Sequence, residues 1–321
     1  MTEFEAEFQA YCDTYGAPER IELMLCDINA VLRGKWLPGD QVSKFQEGAV
    51  RMPLSTYAAN IMGYEVEETG LGIAVGDPDG IIVPVLGTLK PVPWANGNVA
   101  QVLVEMTDDS GEVSPLSPRS RLQKVAAEFA DAGLHPVVAT ELEFYIIKKR
   151  PDAISPPEVP DGLPDAQNYD LDVLNQTEEM MTEILEATKL QGIATDTLIA
   201  EYGPGQFEVN FHHTGDLLDA ADTALLFKRL VIGIVDKHGM EATFMAKLYA
   251  DEPGNGMHVH ASVLNDAGEA DALTLAPRQA GAKRAKPGMV AIWHPDNHVV
   301  DPGSLRRRDD FLFCGIKSPI E

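Results

Sequence analysis

The sequence predicts an α+β protein. Short β-rich runs dominate the first hundred residues, and long helix patterns alternate with strands beyond them. Turn residues punctuate the first part, whereas the second holds an apolar stretch at helical spacing between Asp216 and His238. The two halves therefore read as a small mixed domain followed by a larger one.

Phe4, Phe8, Tyr11 and Tyr15 recur at helical spacing, so the chain opens with a short amphipathic helix whose aromatics face the core. Ile21–Asp27 reads as a strand and Val31–Leu37 as its hairpin partner. Residues 38–98 are rich in glycine and proline with short runs such as Gly80–Pro84, the pattern of turn-rich sheet. Val99–Thr107 is a further strand. Asp108–Pro118, with its serines, prolines and acids, reads as a linker. Ser117-Pro118 starts a helix and Gly133 stops it, with Leu122, Val125, Ala126 and Phe129 on one face. His135–Lys148 is a long strand, and the proline-rich stretch 150–168 a loop. Thr177–Leu190 is helical, Phe207–His213 a strand and Asp216–His238 a long helix ending at Gly239. Ala242–Leu248 and Met257–Leu264 are two more strands. No internal repeat is visible.

The 321 residues include 50 acidic and 25 basic ones, a formal charge of -25. So acidic a chain is a poor match for a phosphate backbone, which argues against nucleic acid as a partner. Cys12, Cys26 and Cys314 are widely spaced and odd in number, so neither a disulfide framework nor a thiolate metal cage is expected. No apolar signal core opens the chain and no apolar run is long enough to span a bilayer. A cytoplasmic protein with reduced thiols, away from membranes, is the expectation.

Three segments carry chemistry. In Thr140-Glu-Leu-Glu-Phe144, residues two apart on a strand share a face, so Glu141 and Glu143 project together while Leu142 and Phe144 pack behind. Adjacent carboxylates repel unless a cation lies between them, and carboxylate oxygens suit Mg²⁺ or Mn²⁺. Taken alone, the segment fits a strand with one wet face equally well. In Glu201-Tyr-Gly-Pro-Gly-Gln-Phe-Glu208, a tight turn leads into a strand carrying Gln206 and Glu208 on one face, with Glu201 just before the turn. A hairpin with polar rims reads the same way. In Pro253-Gly-Asn-Gly-Met-His-Val-His-Ala-Ser262, His258, His260 and Ser262 share a face after a glycine loop, a pattern suited to a metal or a phosphate. His212 and His213 read as ordinary strand residues.

The order and company of these segments, with Ala242-Thr-Phe-Met-Ala-Lys247 between the last two, resemble the catalytic core of the glutamine synthetase family. Arg33-Gly-Lys35 and Lys90-Pro-Val-Pro-Trp94 resemble that family's N-terminal domain. The resemblance runs from about residue 15 to 270, and its phrasing is closest to the gamma-glutamylputrescine synthetase branch. It implies an N-terminal β-grasp domain over 1–108, a partial glutamine synthetase-type catalytic domain with a curved antiparallel sheet over 109–276, and an atypical tail over 277–321. It implies ATP and two or more Mg²⁺ or Mn²⁺ ions as cofactors, glutamate and a small amine as substrates, and a ring-like homo-oligomer. By the same resemblance Glu143, Glu201 and Glu208 hold one ion, and Glu141 and His258 hold a second. His260 and Ser262 lie near ATP, and Gly254 and Gly256 belong to the loop that receives glutamate. Asp77 and Asp79 stand in the region where the family places an acid that helps deprotonate the amine across the subunit boundary.

The chain departs from the family after Ala276. There the strongly acidic balance turns weakly basic, an Arg306-Arg-Arg308 run appears, and the family's arginine-rich segment and later glutamate ligands are not found. A shifted reading frame or replaced terminus near residue 276 accounts for this. The activity implied is an ATP-dependent ligase joining the glutamate side chain to an amine or ammonia. The alternative is a catalytically impaired subunit of the same family.

Overall fold

The computed structural model describes residues 2–45, 47–161, 168–268, 306–308 and 311–313. It divides into two compact units, Met1–Val125 and Ala126–Glu321.

In the first unit, helix α1 (Glu3–Tyr15) starts at a capping box. The Thr2 hydroxyl accepts the Glu5 N–H and the Glu5 carboxylate accepts the Thr2 N–H. Phe4 and Tyr11 are buried and Phe8 packs against the same core, while Tyr15 is exposed and leans on the Tyr11 ring. Strands β1 (Arg20–Cys26), β2 (Leu32–Pro38), β3 (Arg51–Pro53), β4 (Asp79–Pro84), β5 (Lys90–Pro91) and β6 (Val99–Thr107) follow. They form one sheet in the order β2-β1-β6-β4-β3, with β5 also on β6. β1 and β6 run parallel and the other pairs antiparallel. β6 is buried along its whole length, as its near-continuous apolar run requires of a central strand. Four short 3₁₀ turns between Gly39 and Val75 fill the glycine-rich stretch.

Residues 108–118 are not a free linker. Val113 bridges Thr107, the Ser114 N–H donates to the Met106 carbonyl at 2.8 Å, and the buried Ser117 hydroxyl donates to Glu105 at 2.6 Å. Serine hydroxyls satisfy polar groups here that a composition-based reading assigns to water. Ser117 also caps helix α2 (Pro118–Asp131) by accepting the Ser120 N–H. No residue of α2 is buried. Leu122, Ala126 and Phe129 are half-covered and Val125 is 43% exposed, so the apolar face expected to pack does so only in part.

The second unit contains β7 (Leu134–Lys148), α3 (Leu171–Gln176), α4 (Glu178–Gln191), β8 (Thr195–Ala200), β9 (Gln206–Phe211), α5 (Leu217–Lys237), β10 (Met240–Thr243) and β11 (Met257–Asn265). The antiparallel sheet runs β10-β7-β9-β8. β7 is long enough for two strands to share one of its edges, β11 along residues 134–142 and β10 along 145–148. Asp216 caps α5 by accepting the Leu218 and Asp219 N–H groups, and the helix closes at His238 before left-handed Gly239.

α5 backs this sheet. Phe144 of β7 stacks against Phe207 of β9 and Phe227 of α5, with ring centroids 6.0 and 6.2 Å away, and Phe211 meets Phe227 at 5.0 Å. Alternation then sends Glu141 and Glu143, and Gln206, Glu208 and Asn210, to the opposite face.

The structure differs from the sequence reading in further places as well. α3 and β8 were not anticipated, being short and polar. The strand expected at Ala242–Leu248 lies earlier, at Met240–Thr243, because the chain turns off to start the loop before β11. β9 ends at Phe211, so His212 and His213 lie beyond the strand and are exposed rather than strand residues. Of the atypical tail, Arg306–Arg308 and Phe311–Phe313 pair antiparallel as β12 and β13, and its other residues lie outside the described ones. No helix among the described residues is long and apolar enough to cross a membrane.

Phe144 is the keystone between sheet and helix. Phe144→Ala is expected to cost about 3–5 kcal/mol of unfolding free energy, read from the midpoint of a urea titration.

Candidate functional site

The sheet register assembles the site in the second unit. Glu143 lies directly opposite Glu208, and Glu141 opposite Asn210, across the β7–β9 pair. On the other edge of β7, His258 lies opposite Glu141. Glu201 precedes the Gly-Pro-Gly turn, its N–H donating to the Gln206 carbonyl at 2.9 Å. The turn is steric in origin: Gly203 packs so closely on the Tyr145 hydroxyl that no Cβ fits there.

Side-chain contacts tie these groups together. His258 Nδ1 lies 3.0 Å from Glu141 Oε2 and 3.9 Å from Glu208 Oε2, and His260 Nε2 lies 3.0 Å from Glu141 Oε1. Ligand atoms of Glu141, Glu208 and His258 all fall within 4.8 Å of one another. This triad draws one member from each of three strands. The Gly256 N–H donates to Glu143 Oε2 at 3.0 Å, as does the Gln206 amide. The Asn210 amide donates to Glu208 Oε1 at 3.1 Å.

The electrostatics follow from crowding. Burial, together with repulsion from Glu141, Glu143 and Glu201, pushes the Glu208 carboxyl up to about 7. Burial and repulsion from Glu143 also raise Glu201. Glu141 goes the other way: burial would raise it, but His258 and His260 outweigh that and hold it at about 2. The hydrogen bond to Glu141 in turn raises His258. Below about pH 7 a proton on Glu208 relieves the repulsion that a cation would relieve in its place. Buried carboxylates plus an imidazole form a hard oxygen-rich donor set with one nitrogen, which fits Mg²⁺ or Mn²⁺.

The remaining residues singled out by sequence fall into two groups. Gly254 and Gly256 are in the loop against this site, the Gly254 carbonyl accepting from Gln206 at 3.1 Å. Ser262 is exposed and pairs with Val137, four residues along β11 from His258. Asp77 and Asp79 belong to the first unit. Asp77 follows a 3₁₀ turn with a positive φ of 42°, its Oδ1 buried without a hydrogen-bond partner among the described residues, and Asp79 opens β4 on its exposed side. Sequence reasoning missed Asn210 and Tyr145, whose hydroxyl donates to the Pro253 carbonyl at 2.7 Å. The β9 alternation that selects Glu208 also selects Asn210. Nothing in the sequence signals the Tyr145 contact.

A family model described as the glutamine synthetase catalytic domain matches residues 115–279. The chain belongs to the glutamine synthetase family. Among its relatives in that family, gamma-glutamylputrescine synthetase PuuA of Escherichia coli K12 is 40% identical over 272 residues, covering 83% of this chain and 57% of that protein. Glutamate–isopropylamine ligase of a Pseudomonas species is 33% identical over 260 residues, covering 78% and 55%. The chain thus spans about half the length of the curated relatives it matches. Among solved structures, an ADP complex of GmaS superposes with a TM-score of 0.67 at 26% identity, covering 82% of this chain and 57% of that one. A glutamine synthase homolog superposes with a TM-score of 0.69 at 18% identity, a likeness of fold, covering 81% and 59%.

Two outcomes are expected. Divalent-cation binding must displace the proton on Glu208 and free His258 from its own. Mn²⁺ affinity should therefore rise about tenfold or more per pH unit from about pH 5 to 7 and flatten only once both Glu208 and the raised His258 have lost their protons, as read by calorimetry. A Cβ at residue 256 would sit 2.8 Å from Glu143 Oε1. Gly256→Ala should displace that carboxylate and weaken Mn²⁺ binding by about tenfold or more in the same titration.

Proposed function

We propose that the chain carries the metal- and nucleotide-binding core of an ATP-dependent ligase that joins the side-chain carboxylate of glutamate to an amine. The observation that carries this is the convergence of Glu141, Glu208 and His258 within 4.8 Å, beside Glu143 and Glu201, on one sheet face. The 40% identity to a gamma-glutamylputrescine synthetase favours a putrescine-like amine over ammonia.

Glu143, Glu201 and Glu208 would hold one divalent cation, and Glu141 with His258 a second. Bound there, Mg²⁺ or Mn²⁺ neutralises charge on the transferring phosphoryl group of ATP. His260, against Glu141, fixes that carboxylate and lines the path to the ATP phosphates together with Ser262. The loop bearing Gly254 and Gly256 receives glutamate, since short glycine stretches let backbone N–H groups approach an anion. Phosphorylation turns the glutamate carboxylate, a poor electrophile, into an acyl phosphate that the amine attacks with loss of phosphate. The amine must shed a proton first, and Asp77 or Asp79 contributed by a neighbouring subunit of the ring serves as the acid-base group. A ring-like homo-oligomer working in the cytoplasm is part of this reading.

The test has two arms on the full chain. Calorimetry with Mn²⁺ should show binding that Glu141→Gln and Glu208→Gln each weaken by at least about tenfold; no binding to the parent chain overturns the reading. Phosphate release with ATP and glutamate should depend on added putrescine or ammonia. Metal binding without amine-dependent phosphate release would overturn the ligase activity and favour the impaired-subunit alternative.

A further inference from the structure

We propose that Gln206 is a positioning residue that clasps the Glu143 carboxylate to the Gly254–Gly256 loop, so that carboxylate and loop are ordered as one unit. The inference rests on the reading that Glu143 helps hold a divalent cation and that the loop receives a substrate.

Gln206 is fully buried, where a primary amide needs every partner it can find. Its Nε2 lies 3.0 Å from Glu143 Oε2, 3.1 Å from the Gly254 carbonyl and 3.2 Å from Asn255 Oδ1. Its Oε1 accepts the Gly203 N–H at 3.0 Å. One side chain on β9 therefore reaches β7, the glycine loop and the Gly-Pro-Gly turn that follows Glu201. An amide has two N–H donors, and three acceptors surround this one, so at least one bond is shared. The Gly256 N–H makes a second bond to the same Glu143 oxygen, at 3.0 Å. Asn255 completes the loop's anchorage, its amide donating to the Thr243 and Met245 carbonyls at 3.2 and 3.0 Å.

The chemistry of the residue matters as much as its position. A neutral amide orients a carboxylate without cancelling its charge. Arginine or lysine at this place would pair with Glu143 and compete with a cation. Glutamate would place a further carboxylate against Glu143 and the Gly254 carbonyl. Glutamine is the side chain of this length that fixes Glu143, satisfies a loop carbonyl and accepts from the turn together.

Gln206→Met keeps length and burial but removes every bond that the Gln206 side chain makes, to Glu143, Gly254, Asn255 and Gly203. Mn²⁺ affinity measured by calorimetry without substrates is expected to fall by about 10–100-fold. The exchange rate of the Gly256 amide, read by hydrogen exchange and NMR, is expected to rise at least about tenfold as its Glu143 acceptor loosens. Gln206→Glu should do the same or worse. Near-parental Mn²⁺ affinity and Gly256 protection in a folded Gln206→Met protein would overturn the proposal. Hydrogen exchange of the parent chain is a test that no folding failure can spoil: a Gly256 amide exchanging as fast as an open loop also overturns it. If the parent binds no Mn²⁺, the cation reading fails, while Gly256 protection and its loss in the variant still decide the clasp.

Discussion

Like charges packed on one sheet face are the constraint around which the second unit is organised. Glu143 and Glu208 are direct cross-strand neighbours, an arrangement that ordinarily weakens a sheet. The chain keeps it by surrounding the carboxylates with groups that each relieve part of the repulsion. Two histidines attend Glu141, a backbone N–H and a glutamine amide attend Glu143, and an asparagine amide attends Glu208, whose carboxyl burial and repulsion push up to about 7. None of these removes the negative charge of the cluster as a whole. Its residual demand for positive charge is what suits the face to the divalent cation proposed above.

Such a face has to be held from behind. The phenylalanine layer between the sheet and α5 supplies that support, and β7, at fifteen residues, runs through both the aromatic layer and the acidic one. Glu141, Glu143, Glu208 and His258 stand on strands and are fixed by register. Glu201 stands just before a turn and is fixed by that turn's closure on Tyr145 and Gln206. Side chains on strands are placed more tightly than side chains on loops, so Glu201 is the member of the cluster whose position depends most on its neighbours.

Much of this was legible in the sequence because its signals are local. Alternation in Glu141-Leu-Glu-Phe144 and in Gln206-Phe-Glu208 puts acids on one face and aromatics on the other, and the structure follows it. β6 and α5 are long and strongly patterned, and their limits agree with the expected ones within a residue. What was not legible depends on contacts distant in sequence. β8 is a polar edge strand whose existence rests on pairing with β9. The segment 108–118 looks like a linker until Ser114 and Ser117 are seen bonded to β6. The end of β10 at Thr243 is set by the turn into the loop that carries the chain to β11 farther along the same β7 edge, which its own residues do not encode.

The sharing of one β7 edge by β10 and β11 makes the site sensitive to counting. The connecting stretch from Phe244 to Gly256 decides which β11 residue meets Glu141. Side chains on a strand alternate, so slipping β11 by one place would turn both imidazoles toward the opposite face. Lengthening or shortening that stretch by a single amino acid is therefore a parity change unless the extra residue is absorbed as a bulge. Drift in this family should hold the length of the stretch even where its composition ahead of Gly254-Asn-Gly256 changes.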